Sequence, residues 1–387
     1  MKYIIGKQSL TLLLLVALVL LTGCQSDGAD TAPKNITVEM QAYATTYNDV
    51  VQAASTRTWP PSNDFEVYSG HDAIRVAFMT TTGYARNSSD VPADGSFVYN
   101  ENKWYSTFKV DGMTNNPYYL YGYMPAVGNL SLAPVSSSYA NGATMTITGL
   151  PSTTTSDVCV IVGVKKGNSA SDDNGIQMGQ FSYDFSGTTN HVFLLCDHLY
   201  AALLLKIRVD ATYHALRHIN LKKVWVKDCK NGSTTFTSKS RAIVTLVSNE
   251  LGNSPIQNPI TFEPDGSSTE TDMEQNPLYV SVLADGLPLT TEYKPVQGYM
   301  GPLGMTDFTL VSLYDVYDTN VTPEHPNGNL IRENQIAENK INISSLFTNT
   351  SSLQRGTRYT LYLTVKPTYL YMLSEPDLDN PTVEVGN

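Results

Sequence analysis

Tyr359-Thr360-Leu361-Tyr362-Leu363-Thr364-Val365 is the stretch that decides the fold. Tyr359, Leu361, Leu363 and Val365 alternate with Thr360, Tyr362 and Thr364. A period of two sends successive side chains to opposite faces of a strand, so one face packs and the other carries hydroxyls. The same texture recurs along the chain. Ile36, Val38 and Met40 alternate with Thr37, Glu39 and Gln41. Residues 65–68, 73–79, 96–99, 104–110, 118–123, 145–147, 158–164 and 182–185 read as further short strands, rich in aromatic and β-branched side chains. Turn pairs such as Asp94-Gly95, Asp111-Gly112, Asn141-Gly142 and Asn174-Gly175 separate or flank them. Beyond a turn at 187–190 the pattern resumes over 191–195, 201–209, 221–226, 243–247, 278–283 and 306–311. Only residues 210–218 allow a helix, a short one capped by Asp210.

Many short strands with turn signals and almost no helix predict an all-β protein of β-sandwiches. Two halves of similar length predict two such domains in tandem, meeting near residues 186–191. Charged residues make up only 16% of the chain while tyrosines number 24, the composition of an extracellular β-rich protein and not of a helical cytosolic enzyme. The 41% hydrophobic content suffices for real cores.

The N-terminus carries its own signal. Lys2 and Lys7 precede an apolar run over residues 10–21, which ends in Leu21-Thr22-Gly23-Cys24. The run has the length of a secretory h-region and is shorter than the ~20 residues that span a membrane. Small residues before a cysteine resemble the lipobox of bacterial lipoproteins. That resemblance makes 1–23 a signal peptide and Cys24 the lipidated first residue of the mature chain. Residues 25–34, QSDGADTAPK, read as a flexible tether. The full chain carries -11 from 25 basic and 36 acidic residues, and loss of Lys2 and Lys7 with the leader makes this 23 minus 36, or -13. So acidic a chain is not expected to bind nucleic acid or an anionic membrane surface by charge. Its membrane contact is expected to come from lipid on Cys24.

Little in the sequence points to chemistry. It holds no HExxH, no Gly-rich phosphate loop and no GxSxG elbow, and no enzymatic role is expected. A zinc site can be drawn from Cys196, His198, His214, His218 and Cys229, but the spacing fits no standard template. No metal and no cofactor is therefore expected. Cys159 and Cys196 sit in apolar runs and read as small buried hydrophobes. Asp377, Asp379 and Asn380 lack the glycine and distal Glu of an EF-hand loop. Tyr119, Tyr121 and Tyr123 share one strand face, which serves equally as core or as a sugar-stacking platform.

Three longer segments carry a family resemblance. Residues 118–126, YYLYGYMPA, resemble the mid-domain strand of fimbrillin-like proteins. Residues 197–210, DHLYAALLLKIRVD, with Leu221-Lys222-Lys223-Val224, resemble the opening of their second domain. Residues 359–380, including LTVKPTYLYMLSEPDLDNP, are similar to their C-terminal segment. With the lipobox, these segments span nearly the whole mature chain in the family's order. Fimbrillins are subunits of type V pili, exported as lipoproteins and built from two transthyretin-like β-sandwich domains. The resemblance implies a leader at 24–57 containing the first strand, an N-terminal domain at 58–188 and a C-terminal domain at 189–387.

It further implies assembly by strand exchange. In the family a trypsin-like protease cuts after an arginine in the loop behind the first strand, and a strand from a neighbouring subunit fills the groove. Arg57, in the small polar stretch AASTRT before Trp59-Pro60, is the matching arginine, with Thr58 the new first residue. Tyr369, Tyr371 and Leu373, or Val383 and Val385, are the candidate donor-strand anchors. The implied partners are other fimbrial subunits, the outer membrane through Cys24, and a host or bacterial surface ligand. The implied location is the cell outer membrane and the fimbrium, and the implied role is adhesion. Two other roles fit the same features: a non-polymerising surface lipoprotein that binds glycan or a host ligand, and the anchor subunit of the pilus.

Overall fold

The computed structural model describes residues 35–45, 48–51, 65–67, 73–84, 94–100, 103–109, 117–154, 156–167, 176–184, 189–248, 254–266, 279–301, 304–347, 350–367 and 381–385. The first part of the chain holds β1 (Asn35–Thr45), β2 (Asn48–Val51), β3 (Phe65–Val67), β4 (Ile74–Met79), β5 (Asp94–Asn100), β6 (Lys103–Lys109) and β7 (Tyr118–Met124). Then follow β8 (Asn129–Pro134), β9 (Gly142–Pro151), β10 (Thr153–Thr154), β11 (Cys159–Gly167), β12 (Ser182–Tyr183) and β13 (Thr189–His198). Next are β14 (Ala201–Val209), α1 (Ala211–His214), β15 (His218–Asn231), β16 (Thr234–Thr235), β17 (Lys239–Val247) and β18 (Ile256–Pro264). The last are β19 (Tyr279–Leu289), β20 (Lys294–Met300), β21 (Asp307–Tyr317), β22 (Leu330–Asn342), α2 (Ile343–Leu346), β23 (Thr357–Pro367) and β24 (Pro381–Val385). The chain is all-β, as its alternation predicts. α1 is a single turn: Asp210 accepts hydrogen bonds from the backbone N–H groups of Thr212 and Tyr213, and β15 already begins at His218.

The strands form four sheets. The largest runs β11-β13-β1-β6-β5-β4-β7, with β12 and β3 at its margins. Its two ends meet, because Cys159 and Val160 of β11 also pair with Met124 and Tyr123 of β7. The sheet therefore curls into a ring. Side chains alternating inward from its strands make one apolar cluster, which includes Met40 of β1, Val76 of β4, Leu120 of β7, Ile161 of β11 and Leu194 of β13. Outward-facing side chains, such as Tyr43, Tyr121 and Phe193, join a second core shared with the sheet β18-β17-β9-β8. Both faces are thus covered, which is why six of the seven residues of β7 are buried.

The other two sheets pack on each other. Leu203, Leu205 and Ile207 of β14 with Leu361 and Leu363 of β23 face Ile219, Leu221 and Val224 of β15 and Leu310 of β21. In β23 Tyr359, Leu361 and Leu363 pack as the alternation predicts, while Thr360 and Thr364 of the opposite face are buried as well and Val365 is half-buried. β13 opens at Thr189, where the second domain is expected to begin, and it pairs with β1 and β11. β17 and β18, from the second half, attach to β9 of the first. Strands from both sides of residue 188 therefore share sheets.

Gly122 marks a tight point of the ring. A Cβ there would lie 2.2 Å from the Arg75 carbonyl oxygen and 2.8 Å from Cδ1 of Ile161. A backbone carbonyl cannot swing aside as a flexible side chain does. Gly122→Ala is expected to cost at least the ~1–3 kcal/mol of core overpacking, read as a lower urea midpoint. An unchanged midpoint would mean that β4 and β7 part without cost.

Candidate functional site

β1 occupies an interior position. It runs parallel to β13 on one side, from Thr37 opposite Thr189 to Ala44 opposite Cys196. On the other side it is antiparallel to β6, from Asn35 opposite Lys109 to Met40 opposite Trp104. Val38, Met40 and Ala42 are fully buried, with Ala44 close behind, and all four face the inside of the ring. Tyr43 faces out and meets Phe193, ring centroids 6.3 Å apart. Removing β1 would open the ring between β6 and β13 and expose two rows of backbone N–H and C=O groups.

The far end of β1 is held by buried polar groups. His198 Nε2 donates to the Thr45 carbonyl at 2.5 Å, and the Thr45 hydroxyl donates to Asp197 Oδ1 at 2.8 Å. The other Asp197 oxygen accepts from Arg355 Nη1 at 2.6 Å, and Arg355 also reaches the His198 carbonyl at 3.4 Å. His198 Nδ1 lies 2.8 Å from Asp157 Oδ2 and 3.6 Å from Cys159 Sγ. Thr45 is thus gripped on its backbone by one side chain and on its hydroxyl by another. Burial alone would lower the His198 pKa; the Asp157 carboxylate and its hydrogen bond, then Asp197 and the Thr45 carbonyl, outweigh it and raise the value. Burial pushes the Cys159 and Cys196 thiols up, with Asp157 adding to it, so both stay neutral.

Asp157, Cys159 and His198 are the one His/Cys/Asp/Glu group close enough for a shared ion among the described residues. The Asp157–His198 spacing of 2.8 Å is that of a hydrogen-bonded ion pair. Zinc ligands ~2.0–2.3 Å from an ion at tetrahedral angles stand farther apart than that. The five residues drawn together from sequence do not assemble: Cys196 and His198 lie on β13, His214 on α1, His218 and Cys229 on β15. His214 and His218 do stack, centroids 5.0 Å apart.

The tyrosine face resolves as core. Tyr121 and Tyr123 are buried, and the Tyr121 hydroxyl donates to the Tyr139 carbonyl while its ring lies 4.8 Å from Phe181. No sugar can stack on them. A half-buried aromatic ring in a cavity occurs instead at Trp225, which lines an open groove of about 870 Å³ with Lys227, Asp307 and Glu338.

β2 and β24 share one edge. β2 lies parallel to β23, from Asn48 opposite Thr357 to Val51 opposite Thr360. β24 lies antiparallel beside it, from Leu363 opposite Val385 to Pro367 opposite Pro381. β14 covers the opposite edge of β23. Val383 and Val385, read as donor-strand anchors, therefore stand in a strand on β23 of their own chain. Cys24, Arg57, Thr58, Tyr369, Tyr371, Leu373, Asp377, Asp379 and Asn380 lie outside the described residues.

Sequence reasoning missed Asp157, Asp197 and Arg355, and weighed His198 only for a zinc site that it did not expect. One signal was present: the pair Asp197-His198 interrupts the apolar run from Phe193 to Leu205, and charge inside such a run needs partners.

No family model matches the chain, and no curated protein matches it. Among solved structures it is similar to a Bacteroides fragilis protein with a provisional cell-adhesion role, at 8% identity and TM-score 0.41, covering 90% of this chain and 97% of that one. A Bacteroides ovatus protein with the same provisional role covers 90% of this chain and 95% of its own at 8% identity and TM-score 0.36. A fimbrial protein of Bacteroides vulgatus covers 81% and 91%, at 13% identity and TM-score 0.29.

Proposed function

We propose that the chain is a fimbrillin-type structural subunit of a type V pilus, without catalytic activity, delivered to the outer membrane as a lipoprotein on Cys24 and serving adhesion. Two layered β units would meet between β13 and β14, with the β17–β18 hairpin reaching back to β9. Cleavage after Arg57 would release 24–57, and with it β1 and β2, and a strand of another subunit would take the place of β1. The observation that carries this reading is the interior position of β1. A strand that can be replaced must lie between two partners, so that its loss leaves a groove with hydrogen-bonding walls and an apolar floor. A fimbrial role is also the one named for the Bacteroides vulgatus protein above.

The position of β24 favours a second reading. Paired in its own chain, β24 is no free donor, as suits an anchor subunit that keeps its lipid. One measurement separates the two: the N-terminal residue of protein recovered from the cell surface. An acylated residue 24 indicates the anchor; residue 58 indicates a cut and assembled subunit. In the second case Arg57→Ala should abolish SDS-resistant oligomer ladders and leave a lipidated monomer. Normal fibres from that variant would remove Arg57 from the mechanism.

A further inference from the structure

The charges around Thr45 exceed what packing β1 requires. Apolar side chains would cover a strand end at less cost, because buried ion pairs must first be desolvated. Here the groups converge from separate parts of the chain. Asp157 comes from the approach to β11 and Cys159 from its first position, Cys196, Asp197 and His198 from β13, and Arg355 from the approach to β23. Asp197 is fully buried and His198 nearly so. The proton positions follow from the partners. A carbonyl only accepts, so Nε2 of His198 carries hydrogen toward Thr45. Nδ1 then faces a carboxylate oxygen of Asp157, and that bond needs a second hydrogen. With hydrogen on both nitrogens the ring is an imidazolium between a carboxylate and the last carbonyl of β1.

We propose that His198, Asp157, Asp197 and Arg355 form a latch on β1, closed while the His198 ring is protonated and loosened when that proton leaves. The latch rests on the reading of β1 as a removable strand and adds how its removal is controlled. A histidine whose value is raised in the folded state contributes stability that is complete below its ordinary range and is lost as pH rises through the folded value. β1 is therefore held most firmly in mildly acidic surroundings. Linkage is reciprocal: vacating the slot removes the carbonyl that the ring bonds, so strand departure favours proton loss. The latch also sets what can refill the slot. An incoming strand must offer a carbonyl and a side-chain hydroxyl, Thr or Ser, at the register of Thr45. Otherwise Asp197 and His198 are left buried without those partners.

The test uses the full mature chain. Nitrogen-15 NMR of its histidines should find both ring nitrogens of His198 protonated at neutral pH. Hydrogen exchange of the β1 amides, corrected for intrinsic rates, should speed severalfold as the ring titrates. His198→Gln, which can still donate to Thr45, should make that exchange independent of pH. Thr45→Val should raise exchange at every pH and keep the dependence. A neutral ring with a bare Nδ1 at neutral pH overturns the latch even if His198→Gln does not fold, as does an Nδ1 signal restored by EDTA. Unchanged pH dependence in His198→Gln does so too. After cleavage at Arg57, a 24–57 fragment that leaves equally fast at all pH values also overturns it. A fragment that never leaves refutes instead the removable-strand reading.

Discussion

A chain beginning at Thr58 should not persist as a stable monomer. It lacks β1, whose buried Val38, Met40 and Tyr43 contribute about 1.5–3 kcal/mol each, before the hydrogen bonds to β13 and β6 at about 1 kcal/mol apiece. Together these are on the order of 10 kcal/mol, similar to the ~5–15 kcal/mol that separates a whole folded domain from its unfolded chain. Light scattering after size exclusion should find oligomers or aggregate. A synthetic peptide of residues 35–45 should restore the monomer and raise the urea midpoint by most of the loss. If residues 58–387 alone remain monomeric with the midpoint of the full chain, β1 is an ornament on the sheet and strand exchange has no vacancy to fill.

The second large effect is expected at the Asp197–Arg355 pair. Asp197 has no exposed side-chain surface and Arg355 very little. Removing one partner strands a buried charge, at a cost of about 3–5 kcal/mol. Arg355→Ala should therefore lower stability by that amount in urea titrations. The double change with Asp197→Ala should cost clearly less than the two singles added, because no orphaned charge then remains. Additive losses would mean that the two residues act independently and that the bond between them carries little.

Strands dense in apolar and β-branched residues were legible, but β8, which alternates Leu130 and Leu132 with Asn129 and Ser131, was not read. β4, β7, β14 and β23 were each anticipated within two residues, whereas β1 was read only over its first half, Ile36 to Gln41, and runs on to Thr45. The missed strands break the rule for physical reasons. β22, LIRENQIAENKIN, ends its sheet and is mostly exposed, so its polar residues have no burial to report. β18 contains Pro259 and is also an edge strand, where a missing N–H is tolerated. The curl of the largest sheet depends on two residue pairs between β7 and β11, and no local pattern encodes them. The same holds for the site. Thr45 and Asp197 are 152 residues apart in sequence, and Arg355 is 158 beyond Asp197. The pair Asp197-His198 announced buried charge without naming its partners.

The two grips on the leader differ in how they would bear load. Tension applied ahead of Asn35 runs along the axis of β1, which is bonded on both flanks, so its ladders would be sheared with many bonds loaded at once. β2 is four residues on the outside of β23, bonded on one flank alone, so far fewer bonds hold it. Because β1 precedes β2 in the chain, the weaker grip is shielded behind the stronger. A tethered subunit dragged by fluid flow would therefore resist with its strongest element first, whereas a protease acting behind both strands would face neither.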